Sequence, residues 1–316
     1  MLKIIDVLRD EAEKSIINGV KTGFNDWDKS ILFRNGSLNV IASRPSMGKS
    51  ALIESLMIKQ AVDLNLKVCY INFNDTLDII ERRILTNISD IPLASLIAPK
   101  KDTLDWNILY EKQKILEGAD LTIITSTHFP MTVKGSSEPF NKRRIDSIES
   151  LQYKKSYFDR NSTFILSDFD IVYIDNLQLI EGDKKEYANR EQEVSDIAKR
   201  LKALSIQSNT PIVLLSTLNR RAEGSRRPQL EDLRDSGVIE DVADIVLFVH
   251  RPGYYGLNID ENGIHLPEDI AKIIIEKNKH GILDTIDMFF DGNCCKFREL
   301  DYIYSLDYDS PQSLTL

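Results

Sequence analysis

The sequence is poor in the features of secreted, membrane and metal-sulfur proteins. Three of its 316 residues are cysteine, Cys69 and the adjacent Cys294 and Cys295. They form no CxxC spacing, and neighbouring cysteines rarely bridge each other, so neither a disulfide framework nor a thiolate metal site is expected. A reducing cytoplasm is the compartment that fits. No apolar run reaches the roughly 18 residues that a membrane span needs. The N-terminal stretch MLKIIDVLRDEAEKS is charged throughout, which argues against a secretion signal. A basic excess is also lacking: 40 Lys and Arg stand against 49 Asp and Glu, a net charge of −9. The chain as a whole carries no field attractive to nucleic acid, so any such contact must come from local basic loops. No internal repeat is found.

What is there is a hydrophobic content of 42%, enough for a packed core. Ile4, Ile5, Leu8 and Ala12 recur at helical spacing among charged residues, which predicts a short amphipathic docking helix within a leading segment, 1–18. It would pack on this chain's own core or on a neighbouring subunit. From there apolar runs alternate with helical stretches: SLNVIAS, a helix from Lys49 to about Leu64, KVCYINF, a helix from Leu77, LTIIT, FDIVYID, a helix over 190–208, PIVLLST, ADIVLFVH, IAKIIIEKN and TIDMFF. This alternation predicts an α/β domain over 19–300 with a mostly parallel central sheet between helices. Residues 127–163 read as an irregular insertion, and 301–316 as a polar tail.

Residues 43–50 read SRPSMGKS, between a strand and a helix. A phosphate loop has the form G-x-x-x-x-G-K-[ST], and Ser43 stands where the first glycine belongs. Such a loop turns backbone N–H groups and a helix N-terminus toward phosphates. Its lysine neutralises β and γ oxygens while its hydroxyl holds Mg²⁺. Ser43, Arg44, Pro45, Ser46, Met47, Gly48, Lys49, Ser50 and Ala51 are therefore the expected nucleotide-phosphate cradle. The second half of such a site is an aspartate ending a buried strand, and FDIVYID ends in Asp175, so Ser50 and Asp175 are the expected Mg²⁺ side.

From Gly19 to about Phe297 the chain resembles the RecA-like motor domain of the DnaB-type replicative helicases. The matching stretches, in the family's order, are KTGFNDWDK, ASRPSMGKSA, VYIDNLQLI, REQEVSDIAKRLKAL, PIVLLSTLNR, RRPQLEDLRDSGVIEDVADIVLFVHRPGYY and EKNKHG. Members often lack the first phosphate-loop glycine too. The resemblance implies a RecA-like phosphate-loop fold that uses ATP and Mg²⁺, and a homo-oligomeric ring, a hexamer, around single-stranded DNA. A helicase loader or other replication proteins are the implied partners. Full-length members carry an N-terminal primase-binding domain to which nothing here corresponds.

Three catalytic positions depart from the family pattern. The glutamate that polarises the attacking water is replaced by Asn74, with Asp75 next in line as a displaced carboxylate on the opposite face of a strand. An amide orients water but accepts no proton. Thr217 stands where relatives have the glutamine that reads the γ-phosphate. The interface pattern K-x-R-x-G becomes Lys277, Lys279 and Gly281, which keeps the charge but loses the arginine fork. Lys49, Asn74, Asp75, Thr217, Lys277 and Lys279 are thus the catalytic candidates, and slow hydrolysis is an alternative to a full motor. On the DNA side, Arg220, Arg221, Arg226 and Arg227 form one basic loop. The resemblance adds Arg234, Asp235, Ser236 and Gly237 of LRDSG, the segment that grips the strand in relatives. The same stretches argue against a RecA-type recombinase.

Overall fold

In a computed structural model, residues 18–125, 131–132, 166–180, 187–222, 227–233, 237–257 and 267–300 are described. The segments 1–17 and 301–316, the bulk of 127–163, and Arg226, Arg234, Asp235 and Ser236 lie outside them.

The strands are β1 (Leu38–Ser43), β2 (Val68–Asn72), β3 (Leu121–Thr125), β4 (Met131–Thr132), β5 (Ile171–Asp175), β6 (Ile212–Thr217), β7 (Ile245–His250), β8 (Ile270–Asn278), β9 (Asp284–Asp291) and β10 (Lys296–Glu299). They form one sheet in the order β10-β9-β8-β7-β1-β6-β5-β2-β3-β4. The stretch from β7 to β3 is parallel, while β8, β9 and β10 continue it antiparallel on one side and β4 on the other. The alternation of apolar runs with helices anticipated the parallel centre.

Helices cover both faces, and each central strand feeds alternate residues to each. On one side Ile41, Tyr70, Tyr173, Val213 and Leu247 pack with α1 (Asn25–Ser30), α2 (Lys49–Ile58), α3 (Leu77–Ser89) and the preceding Phe24. On the other, Val40, Ile71, Val172, Leu214 and Phe248 meet α4 (Arg190–Ser208), whose Val194, Ile197 and Leu201 recur at helical spacing, and Ile239 of α5 (Gly237–Val242). Burial on both sides explains the unbroken apolar runs. The expected helix ends are met: α4 starts behind Asn189, whose side chain accepts from the Gln192 N–H, and α2 continues through a π-helical turn at Lys59–Asp63.

Candidate nucleotide site

The site is built at the carboxyl ends of β1, β2, β5 and β6. The chain leaves β1 at Ser43 and turns through Ser46, with φ 67°, and Gly48, with φ 88°, into α2. Ser43 needs no glycine because it is still strand, paired with Thr217 of β6 and Val249 of β7. The positive φ that a glycine favours falls at Gly48. A Cβ there would also lie 3.1–3.2 Å from the rings of Phe290 and Phe297. Among the described residues no side chain caps the N-terminus of α2, whose first N–H groups have no partner within the helix, an arrangement that attracts phosphate.

Lys49 lies behind the loop and its Nζ donates to the Ser216 carbonyl at 2.6 Å. Burial lowers its ammonium below the ordinary lysine value, against the opposing pull of Asp175. Ser50 Oγ donates to Asp175 Oδ2 at 3.0 Å, and the Tyr70 hydroxyl donates to the same oxygen at 3.1 Å. Burial pushes the Asp175 carboxyl up, while Lys49, Ser50 and Tyr70 hold it down. One hydroxyl and one carboxylate at this spacing are the donor set suited to Mg²⁺, which takes few protein oxygens and fills its octahedron with phosphate and water.

The Asn74 and Asp75 positions differ from the sequence reading. β2 stops at Asn72 because its side-chain oxygen accepts the N–H groups of Asn74, at 2.8 Å, and Asp75, at 2.7 Å. Both residues therefore sit on a turn, and the opposite faces of a strand do not apply to them. Asn74 is exposed and its amide donates to Asp75 Oδ1 at 3.2 Å.

Thr217 ends β6 beside Ser43, at the rim of the loop. Lys277 and Lys279 lie elsewhere: Asn278 is level with Ile245, which is level with Asn39, four residues before Ser43 in β1. At about 3.3 Å per residue this sets them roughly 13 Å back from the loop end of the sheet. Lys277 Nζ donates to the carbonyls of Glu240, at 2.6 Å, and Asp241, at 3.3 Å, in the last turn of α5. Lys279 Nζ is 3.7 Å from Asp244.

Of the DNA candidates, Arg220, Arg221 and Arg227 are exposed, and Arg227 reaches Glu276 at 3.4 Å. A bridge between Leu218 and Leu233 brings the root of the arginine loop against the residue before Arg234, and Gly237 opens α5.

Several site residues had no motif to announce them. Tyr70 and Asn72 link Asp175 to the turn, since the Asn72 amide donates to the Tyr70 hydroxyl at 2.7 Å. Gln178 donates to Ser216 Oγ at 2.9 Å, behind Lys49. Glu54 is buried beside Arg83, and its one visible signal is a charge inside the apolar helix ALIESLMI.

Fold and loop together define a RecA-like phosphate-loop domain. A family model described as the DnaB-like helicase C terminal domain matches residues 19–299, and the chain belongs to that family. It is 30% identical over 284 residues to a probable plasmid replicative DNA helicase of Chlamydia psittaci, covering 89% of this chain and 56% of that one. It is also 30% identical over 288 residues to the replicative DNA helicase DnaB of Geobacillus stearothermophilus, covering 90% and 57%. The chain thus spans a little over half the length of these relatives. Among solved structures it is similar to one described as an ATPase domain, with a TM-score of 0.74 and 25% identity over 94% of this chain and 97% of that one. A DnaB-like replicative helicase studied with primase shares the fold, at a TM-score of 0.73 and 24% identity. No helix among the described residues is long and apolar enough to cross a membrane.

Proposed function

We propose that this chain is the ATP-driven motor of a ring-forming replicative DNA helicase that translocates on single-stranded DNA. The observation that carries the reading is one conjunction at the sheet's carboxyl edge. There, the uncapped N-terminus of α2 follows left-handed Gly48, Lys49 lies behind it, and Ser50 meets Asp175 at 3.0 Å.

Residues 43–51 cradle the triphosphate through backbone N–H groups, and Lys49 leaves the Ser216 carbonyl to neutralise β and γ oxygens. Ser50 and Asp175 hold Mg²⁺, which when bound offsets charge developing on the phosphates. Thr217 faces the γ position from the end of β6. Lys277 and Lys279 serve a neighbouring subunit's nucleotide, since the sheet register sets them away from their own, and the homo-oligomer is a hexameric ring. Arg220, Arg221, Arg226 and Arg227, with Arg234, Asp235, Ser236 and Gly237, hold the DNA backbone, so binding weakens steeply with salt. A loader or other replication proteins complete the cytoplasmic assembly.

The test is steady-state ATP hydrolysis with single-stranded DNA, with Lys49→Ala as control; wild-type turnover no greater than the control's refutes the motor. A second reading, a nucleotide-dependent DNA-binding ring component with little hydrolysis, is favoured by the exposed amide of Asn74 where relatives have a carboxylate. Its mark is ATP-dependent DNA binding without turnover.

A further inference from the structure

Glu54 sits in the middle of α2 among Leu52, Ile53, Leu56 and Met57, and is 0% exposed. Its Oε1 accepts from Arg83 Nε at 2.8 Å, while its buried Oε2 has no hydrogen-bond partner among the described residues. Burial pushes the carboxyl up, against the opposing pull of Arg83. A buried carboxyl with one arginine contact and an unpaired oxygen is a poor source of stability, and an apolar residue of similar volume usually serves as well or better. What Glu54 does accomplish is to fix Arg83.

Arg83, on α3, has a second arm. Its guanidinium donates to Asp75 Oδ2 at 2.8 Å. Asp75 is held from the other side by its N–H on Asn72, which the Tyr70 hydroxyl ties to Asp175. Among the described residues its Oδ1 accepts one hydrogen bond, from the Asn74 amide. The Asp75 carboxylate is thus pinned by one oxygen and by its backbone, and the other oxygen is turned to the Asn74 amide.

We propose that Asp75 is the catalytic carboxylate that activates the attacking water, and that Arg83 and Glu54 are positioning residues that hold it there. This rests on the ATPase reading above. As the water oxygen bonds to the γ-phosphorus, the bond from that phosphorus to the bridging oxygen breaks and its electron pair leaves with ADP. The proton released by the water passes to Asp75 Oδ1, while the Asn74 amide orients the water.

The test measures kcat, KM for ATP and melting temperature of the full chain with single-stranded DNA. Asp75→Asn is expected to lower kcat about 10²- to 10³-fold with KM unchanged. Glu54→Met removes the hold on Arg83 while filling the volume, and is expected to lower kcat about tenfold or more with KM unchanged when assayed well below the variant's own melting temperature. Glu54→Gln keeps the oxygen that Arg83 uses and is expected to stay within about threefold of wild type, a rescue that packing alone does not give. Arg83→Lys keeps the charge but not the two-armed reach, and is expected to match Glu54→Met. Wild-type turnover no higher than Lys49→Ala overturns both the ATPase reading and this assignment. Wild-type turnover that Asp75→Asn leaves intact, or a kcat that Glu54→Met and Arg83→Lys leave unchanged or lower only near the variant's own melting temperature, overturns this assignment alone.

Discussion

Gly48→Ala isolates the geometry on which the phosphate loop depends. Two separable terms oppose the new methyl. The backbone at φ 88° and ψ 18° is left-handed, which costs an L-residue about 1–2 kcal/mol. The Cβ would also stand 3.1 and 3.2 Å from two carbons of Phe290 and 3.2 Å from one of Phe297. Those rings have little room to give, since they pack on each other at 4.8 Å between centroids and Arg251 lies 4.4 Å over Phe290, and overpacking of this kind costs about 1–3 kcal/mol. The expected loss is about 2–5 kcal/mol, or a melting point lower by about 4–10 °C at roughly 2 °C per kcal/mol for a chain of this size. ATP affinity falls with it, because the N–H groups of Lys49 and Ser50 are re-aimed. The two terms separate in a double-mutant cycle read by urea denaturation. Phe290→Leu removes the obstructing ring edge, so Gly48→Ala becomes cheaper in that background by about 1–2 kcal/mol, whereas the backbone term persists. Additivity within about 0.5 kcal/mol would show that the methyl meets no ring and would refute the argument.

Three further outcomes are expected. Tyr173→Phe removes the donor to Gln60 Oε1, a buried contact of 2.7 Å, and is expected to cost about 1–2 kcal/mol in urea denaturation because the amide oxygen is left unpaired; a neutral result contradicts this. Burial alone would push the Asp244 carboxyl up, but Lys202 at 2.6 Å, the Leu38 N–H at 2.9 Å and the charge of Lys279 outweigh it and hold the carboxyl below its ordinary value. Its contribution to stability is present above the unfolded value of about 3.9 and lost as pH falls through the lower folded value, so Asp244→Asn is expected to flatten the melting curve between about pH 5 and pH 3. If nucleotide sites are shared between subunits, inactive Lys49→Ala and Lys279→Ala chains regain turnover when mixed, because some interfaces then carry both intact halves; no recovery over a range of mixing ratios contradicts the shared site.

How far the sequence could be read depended on the range of the interaction involved. β1, β5 and β6 were legible because a strand buried on both faces must be apolar throughout, and α4 because its apolar spacing is local. The antiparallel direction of β8, β9 and β10 was not, since nothing in an apolar run states which way its neighbour points. The phosphate loop was legible as a motif, but the tolerance of Ser43 became physical once its backbone proved to be strand and the left-handed residues proved to be Ser46 and Gly48. Asn74 and Asp75 were assigned to opposite strand faces because the turn that separates them from β2 is made by a side chain, Asn72, hydrogen-bonding two N–H groups ahead. Glu54 and Arg83 were least legible in role, since a carboxyl on α2, a guanidinium on α3 and a carboxylate after β2 meet only in three dimensions. Yet Glu54 was visible as a violation, a charge inside a helix with no polar face. A charge that breaks the local rule and gains little stability points to a site where position matters more than packing. Here the carboxyl of Glu54 reaches, through Arg83, the turn that carries Asn74 and Asp75.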